Sequence, residues 1–169
     1  MADFIRAYEQ LILAEGGYKL HKVKNDTGGW TYAGITRKWF PDWPGWSYID
    51  NNQQPPVDLV RAFYHARIWL RHRLDEVIDQ DVAECIFLAA ANAEASVKVL
   101  QLTLKGLTPD GHIGDKTLAA INAADPATLI PFYTLAKVDR YRQICNRDRT
   151  QIGFLLGWLN RSFKEAARG

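Results

Sequence analysis

Residues 15–18 read Glu-Gly-Gly-Tyr and residues 26–36 read Asp-Thr-Gly-Gly-Trp-Thr-Tyr-Ala-Gly-Ile-Thr, and these two segments indicate how the first part of the chain folds. The glycine pair after Glu15 predicts the end of a helix, because glycine readily adopts the backbone conformation that follows a helix terminus. Turn-forming residues at 25–29 separate two short stretches, the second rich in β-leaning residues. We therefore predict a small β-hairpin lobe near residues 18–36.

Helical patterns account for most of the remaining chain. Apolar residues recur at helical spacing after Asp3 and again after Pro55 and Pro56, while residues 39–56 have no period and predict a long irregular loop. The stretch 81–104 is one alanine-rich helix or two. The predicted helices cover residues 4–15, capped by Asp3, then 57–74, 81–104, 116–123, 126–149 and a last segment around 154–159. The fold class is thus mainly α.

Composition and charge narrow the possible partners. The 169-residue chain is 47% hydrophobic, enough for one well-buried core, and its net charge of +2 is too small for a protein whose main partner is nucleic acid. No window approaches the roughly 20 apolar residues of a membrane span, and the first residues lack the pattern of a signal peptide. We expect synthesis in the cytoplasm, no membrane insertion and no nucleic-acid partner.

The sequence indicates neither a metal site nor a disulfide. Cys85 and Cys145 have no neighbouring cysteine or histidine at ligand spacing and are expected to be buried hydrophobic residues. His65 and His72 lie seven residues apart without a supporting third ligand, so a structural role is favoured. Asp110 precedes a glycine in a predicted turn that lacks the repeated acidic positions of a calcium loop. We expect no metal and no cofactor.

Glu15 and Asp26 are the carboxyl groups best placed for cleaving a glycosidic bond. That reaction needs an acid that protonates the leaving oxygen and a second group that stabilises or attacks the anomeric carbon. The carboxyl end of a helix disfavours ionisation of Glu15, whereas solvent and turn amides would keep Asp26 ionised. Position alone leaves open that both are ordinary helix-end and turn residues.

The two quoted segments resemble the opening motif of the glycoside hydrolase family 108 muramidases, which typically reads Glu-Gly-Gly-Tyr, then Asp-Pro-Gly-Gly, a short step to Thr, and Tyr-Gly-Ile-Thr. They are also similar to phage lysozymes in which a helix-end glutamate faces a hairpin. The resemblance implies a lysozyme-like helical bundle with Glu15 as catalytic acid, Asp26 as second carboxylate and Thr31 as the residue that positions the attacking water. The candidate substrate-binding residues are Tyr18, Trp30, Tyr32, Asn92 and Gln101.

The second half of the chain extends the resemblance. Residues 100–101, 110–118 and 157–161 look like the peptidoglycan-binding domain that follows the hydrolase in that family. This implies a catalytic muramidase region at residues 1–92 and a helical peptidoglycan-binding region at residues 93–169, packed together as one compact unit. The chain departs from the family pattern at Thr27, at Tyr32-Ala33 and at Glu94, and the first two departures alter the lining of the hairpin.

Two functions from different classes follow. One is a muramidase that hydrolyses the β-1,4 bond between N-acetylmuramic acid and N-acetylglucosamine; the other is a catalytically weak module of the same fold that binds peptidoglycan or acts as a scaffold. Glu15 and Thr31 favour the enzyme, and an amidase or endopeptidase would need a zinc site or a Cys–His pair. The expected partner is the peptidoglycan glycan strand, in the cell wall or periplasm. A holin, as for a phage endolysin, or a secretion apparatus would deliver the protein.

Overall fold

The computed structural model describes residues 1–22, 29–92 and 95–166. It confirms a mainly α, lysozyme-like fold with a small β-sheet. The α-helices are α1 (Phe4–Ala14), α2 (Gly45–Asp50), α3 (Val57–Tyr64), α4 (Gln80–Asn92), α5 (Ser96–Leu104), α6 (Asp115–Ala123), α7 (Pro126–Arg147) and α8 (Ile152–Ala166). A π-helical turn spans His65–Leu70, and 3-10 turns span Leu74–Glu76 and Arg149–Gln151. The strands are β1 (Leu20–Lys22), β2 (Trp30–Tyr32) and β3 (Ile35–Thr36).

The chain divides into two compact units. One comprises residues 4–67, and the other comprises residues 1–3 together with 68–169. The first unit holds α1 to α3 and the sheet, and the second holds α4 to α8. No helix among the described residues is long and apolar enough to cross a membrane.

The sheet of the first unit is antiparallel, with strand order β1-β2-β3. Tyr32 pairs with Ile35, so β2 and β3 are joined by a two-residue turn at Ala33 and Gly34. The φ angles of these two residues are 48° and 80°. Positive φ at both central positions is the geometry that matches the right-handed twist of a two-residue hairpin. The predicted hairpin lobe therefore gains a third, short strand.

A tryptophan cluster fills the centre of residues 39–56. Trp43 stacks on Tyr32 with 5.9 Å between ring centroids and meets Trp46 edge-on at 5.3 Å. The Trp46 indole also donates a 2.7 Å hydrogen bond to the carbonyl of Phe40. Both tryptophans are buried and so cover the lobe. The predicted irregular loop contains the six-residue helix α2, which burial of Trp46 stabilises although the segment has no amphipathic period.

The second unit is built around α4, in which all eight residues from Val82 to Ala89 are buried. This helix packs against α5, α7 and α8. The predicted run 81–104 corresponds to two helices, since α4 ends at Asn92 and α5 begins at Ser96. Cys85 and Cys145 are both buried, as expected.

The predicted helix 57–74 is less regular than expected. After α3 the chain continues as the π-helical turn, and Arg73 then takes a left-handed conformation with φ 52° before the 3-10 turn. Apolar periodicity does not reveal such a turn, because six residues are too few to establish a period of their own.

Candidate active site

Glu15 occupies the C-cap of α1, where the chain forms a Schellman motif. The Gly17 amide donates to the Ile12 carbonyl at 2.9 Å, and the Gly16 amide donates to the Leu13 carbonyl at 3.3 Å. Gly16 has φ 78° and Gly17 has φ 86°, conformations that glycine adopts without strain. The glycine pair thus ends the helix as predicted and leaves the Glu15 side chain partly exposed.

The turn of the β2–β3 hairpin lies directly against the Glu15 carboxyl group. A Cβ atom placed on Gly34 would stand 3.0 Å from both Cδ and Oε2 of Glu15, and it would overlap the Tyr64 hydroxyl. The backbone of the turn can approach this closely only because residue 34 has no side chain. The structure therefore brings the helix end and the hairpin together, which is the arrangement that the sequence motif implied.

Tyr64 ties the hairpin turn to α3. Its hydroxyl donates a buried 2.9 Å hydrogen bond to the carbonyl of Ala33. Burial raises the pKa of Tyr64, and Glu15 raises it further whenever its carboxyl group is ionised. The phenol consequently stays protonated and remains a hydrogen-bond donor beside the Glu15 carboxyl over the whole physiological pH range.

Two further tyrosines complete a cluster around the end of α1. The Tyr8 and Tyr18 hydroxyls lie 3.0 Å apart, and the Tyr8 and Tyr64 rings are 6.3 Å apart between centroids. Burial is the main cause of a raised pKa at Tyr8, and the hydrogen bond with Tyr18 adds to it. Tyr8 was not among the predicted site residues, although it stands two helical turns before Glu15 and so on the same face.

The predicted residues of β2 differ in exposure. Trp30 is 48% exposed, whereas Thr31 is 7% and Tyr32 only 3% exposed. Thr31 pairs with Thr36 across the hairpin, and its hydroxyl donates to the Thr36 hydroxyl at 3.3 Å. Among these three side chains, Trp30 is therefore the one open to a bulky ligand.

The Tyr32 hydroxyl is buried in an unusual environment. Among the described residues no well-aligned hydrogen bond reaches it, although the Gln54 amide lies close to it. Burial raises the pKa of Tyr32, and the Gln54 amide opposes this effect. The ring itself packs on Trp43, so it supports the hairpin from within. Asp26, the expected second carboxylate, lies outside the described residues.

Asn92 and Gln101 belong to the other unit. Asn92 closes α4: its amide donates to the Leu88 carbonyl at 2.8 Å, and its carbonyl oxygen accepts a 2.6 Å bond from Arg161. Gln101 is 1% exposed. Its amide donates to Asp110 and to the His112 carbonyl, and its oxygen accepts from the Gly111 amide at 2.9 Å. Gln101 can therefore serve substrate binding only by shaping the loop around residues 110–112.

The loop at residues 110–112 is a turn that hydrogen bonds to the Asp110 carboxylate stabilise. The Asp110 carboxylate accepts hydrogen bonds from the Gln101 amide and from the His112 backbone, and these bonds hold the pKa of Asp110 below its usual value.

His72 is half-buried, and burial, aided by Arg71 and His112, lowers the pKa of His72 to about 4. Across the part of the chain that the structure describes, no three His, Cys, Asp or Glu side chains are grouped to hold a metal ion.

Two family models match the chain and together account for most of it. The model described as Glycosyl hydrolase 108 matches residues 8–93, and the one described as Predicted Peptidoglycan domain matches residues 95–163. The chain belongs to glycosyl hydrolase family 108. This family 108 protein is a glycosidase that acts on peptidoglycan.

A solved structure is similar to this family 108 hydrolase over almost its full length. "Structure of Brucella abortus SagA" superposes with a TM-score of 0.74 at 23% identity, covering 98% of this chain and 92% of the other. At this identity the likeness establishes the fold. No curated protein sequence matches the chain. The two family models meet between residues 93 and 95, whereas the compact units divide at residues 67 and 68.

Proposed function

We propose that this family 108 hydrolase is an N-acetylmuramidase that cleaves the β-1,4 bond between N-acetylmuramic acid and N-acetylglucosamine, with Glu15 as general acid. The observation that supports this proposal most is the position of Glu15. Its carboxyl group is partly exposed at the end of α1 and lies against the turn at Gly34. A carboxylate at the carboxyl end of a helix is disfavoured, so the site suits an acid that holds its proton until the transition state.

The proposed reaction assigns one role to each motif residue. Glu15 donates its proton to the glycosidic oxygen as that bond breaks, and the N-acetylglucosamine fragment leaves with a hydroxyl group. Asp26 stabilises the positive charge that develops at the anomeric carbon. Thr31 positions the water whose oxygen becomes the new hydroxyl of N-acetylmuramic acid and whose released proton replaces the one that Glu15 gave up. Trp30, the exposed aromatic residue of β2, offers its face to a sugar ring.

Replacing Glu15 with glutamine tests this assignment. Glu15→Gln preserves shape and hydrogen-bonding reach but removes the proton, so the rate of sacculus hydrolysis should fall by about 10²-fold or more. Glu9→Gln, an exposed position on the same helix, is the matched control and should keep the parent rate. Equal rates for Glu15→Gln and the parent would show that another residue is the acid.

Mass spectrometry of released fragments tests the choice of bond. New reducing ends should appear on N-acetylmuramic acid. Anhydro-muramic products would indicate a lytic transglycosylase, and free stem peptides would contradict a glycosidase. If Glu15→Gln still binds sacculi, its lower rate reflects a loss of catalysis and not a loss of substrate binding.

Delivery is a further part of the proposal. We infer that a holin, as for a phage endolysin, or a secretion apparatus gives the enzyme access to the wall. Expression with and without a co-expressed holin tests this inference, and rapid lysis in both cultures would contradict it.

A further inference from the structure

An open apolar groove lies between α5 and α7 in the second unit. Its volume is about 650 Å³, within the range of small-ligand sites. Leu102, Phe132 and Leu135 line it although they are 64%, 59% and 60% exposed. Single exposed apolar side chains are ordinary, but three that converge on one cavity mark a surface that another molecule covers.

Two opposite charges accompany the apolar lining. Lys105 directly follows α5 and has a φ of 56°, and within the described residues it has no ion-pair partner. Asp125 precedes α7, and its carboxylate accepts a 2.6 Å hydrogen bond from the Thr128 hydroxyl. Both residues line the groove and are exposed. A ligand that fits would combine small apolar groups with charges of both signs.

The location of the groove narrows the ligand to a part of peptidoglycan, because all its lining residues fall within the peptidoglycan domain at 95–163. Peptidoglycan offers glycan strands and stem peptides. Sugar sites use flat aromatic faces and many hydrogen-bonding groups, whereas this lining is largely aliphatic with Phe132 as its single aromatic ring. Stem peptides carry alanine methyl groups, carboxylates and the amino group of one diamino acid. The methyl groups match the apolar lining, and the charged groups match Lys105 and Asp125.

We propose that the groove between α5 and α7 binds the stem peptide of peptidoglycan. Alanine methyl groups lie on the leucine and phenylalanine lining, a stem carboxylate pairs with Lys105, and the amino group of the diamino acid pairs with Asp125. The proposal rests on peptidoglycan being the substrate, and it assigns to the groove a role in substrate binding rather than in bond cleavage.

The test is titration of the full-length protein with a soluble stem tetrapeptide that contains diaminopimelic acid. Phe132→Ser and Leu135→Ser should each weaken binding about tenfold, as truncation of a central apolar contact does, and Lys105→Gln should weaken it severalfold. Leu156→Ser on α8, which is 69% exposed, is the matched control and should bind as the parent does. Equal weakening by the control, or unchanged binding by all three groove variants, would overturn the proposal.

A second measurement separates this proposal from the catalytic one. Glycan strands stripped of stem peptides by an amidase should be bound and cut equally by the parent and by Phe132→Ser, whereas intact sacculi should be bound more weakly by Phe132→Ser. Glu15→Gln should bind the tetrapeptide normally. Loss of affinity for stripped strands in Phe132→Ser would assign the groove to glycan instead. Analytical ultracentrifugation gives a further control. If the parent is a dimer, Phe132→Ser abolishes the dimer and peptide binding stays intact, the groove is a self-association surface instead.

Discussion

Gly34 is the residue on which the approach of the hairpin to Glu15 depends. It combines a φ of 80° with a position where a Cβ atom would meet both the Glu15 carboxyl and the Tyr64 hydroxyl. Neither neighbour can move away freely, because the Schellman motif fixes the backbone of Glu15 and the bond to Ala33 fixes Tyr64. Residue 34 must therefore be glycine for two reasons, the positive φ and the lack of space for a Cβ atom.

Gly34→Ala should lower both stability and hydrolysis. We expect a loss of about 2–4 kcal/mol in the free energy of unfolding, from backbone strain and overpacking combined. Activity should fall even where the variant is folded, since the turn must retreat from Glu15. Gly106→Ala is the control: φ is 67° there, but a Cβ atom would meet nothing within 4 Å. Chemical denaturation and sacculus assays of both variants check this, and equal losses would refute the role of close approach.

His72 should make stability depend on pH. Its pKa is about 4 in the folded protein against about 6.5 when unfolded, so between these values the unfolded chain takes up a proton that the folded chain does not. Stability should therefore fall as the pH drops from about 6.5 to about 4, with no further effect of this group below that. Calorimetry of the parent and His72→Gln checks this, because the variant should lose less stability over that interval. His21→Gln, exposed on β1, should behave as the parent.

Among the secondary-structure elements, the hairpin turn is fastened to α3 by one buried hydrogen bond. Tyr64→Phe removes the donor and leaves the Ala33 carbonyl unsatisfied, at a cost of about 1–3 kcal/mol. Since this bond sets the distance of the turn from Glu15, hydrolysis should fall as well. Tyr48→Phe, on the exposed side of α2, should change neither quantity. Thermal melts and rate measurements check this. A Tyr64→Phe variant with the melting temperature and the hydrolysis rate of the parent would contradict the role of this hydrogen bond.

Elements with a strong local signal were predicted well. The end of α1 follows from the glycine pair, and the bounds of α6 and α7 lie within two residues of prediction because caps and proline mark their ends. Helix α2 and the π-helical turn were missed. The first depends on burial of Trp46 and the second on an extra residue within a helical turn, and neither leaves a periodic pattern.

The candidate site was predicted in outline from its motif. Glu15 and the hairpin follow from local sequence, whereas Tyr64 contacts the hairpin from 31 residues after Ala33, and only the folded structure reveals that contact. The roles of Glu15, Asp26 and Thr31 stay predictions. Gln101 illustrates the opposite difficulty, because a polar residue within a motif resembles a ligand-binding group until its burial is known.

At the scale of the whole molecule, the boundary between the family models and the boundary between the compact units differ. Helix α4 falls within the hydrolase match at residues 8–93 but packs against α5, α7 and α8. Removing residues 94–169 would expose its buried face, including Ile86, Phe87 and Leu88. Each such side chain contributes about 1.5–3 kcal/mol when buried, and a whole domain is stable by only about 5–15 kcal/mol.

Residues 1–93 expressed alone should therefore aggregate or fail to melt cooperatively. Co-expression of residues 94–169 as a separate chain should restore a soluble complex, since it returns the partners of α4. Size-exclusion chromatography and circular dichroism check both outcomes. A monomeric fragment that melts near the temperature of the full-length protein would contradict this expectation and support a division of the protein into regions 1–92 and 93–169.

The packing of α4 also bears on how such enzymes can exchange parts, in evolution or in the laboratory. A crossover placed at the junction of the two family models would join an α4 from one parent to α5, α7 and α8 from another, and every mismatch in side-chain volume would fall within one core. A crossover upstream of residue 80 transfers the helix together with its partners. The segment that can be exchanged with its core intact is thus longer than the match to the peptidoglycan domain at residues 95–163.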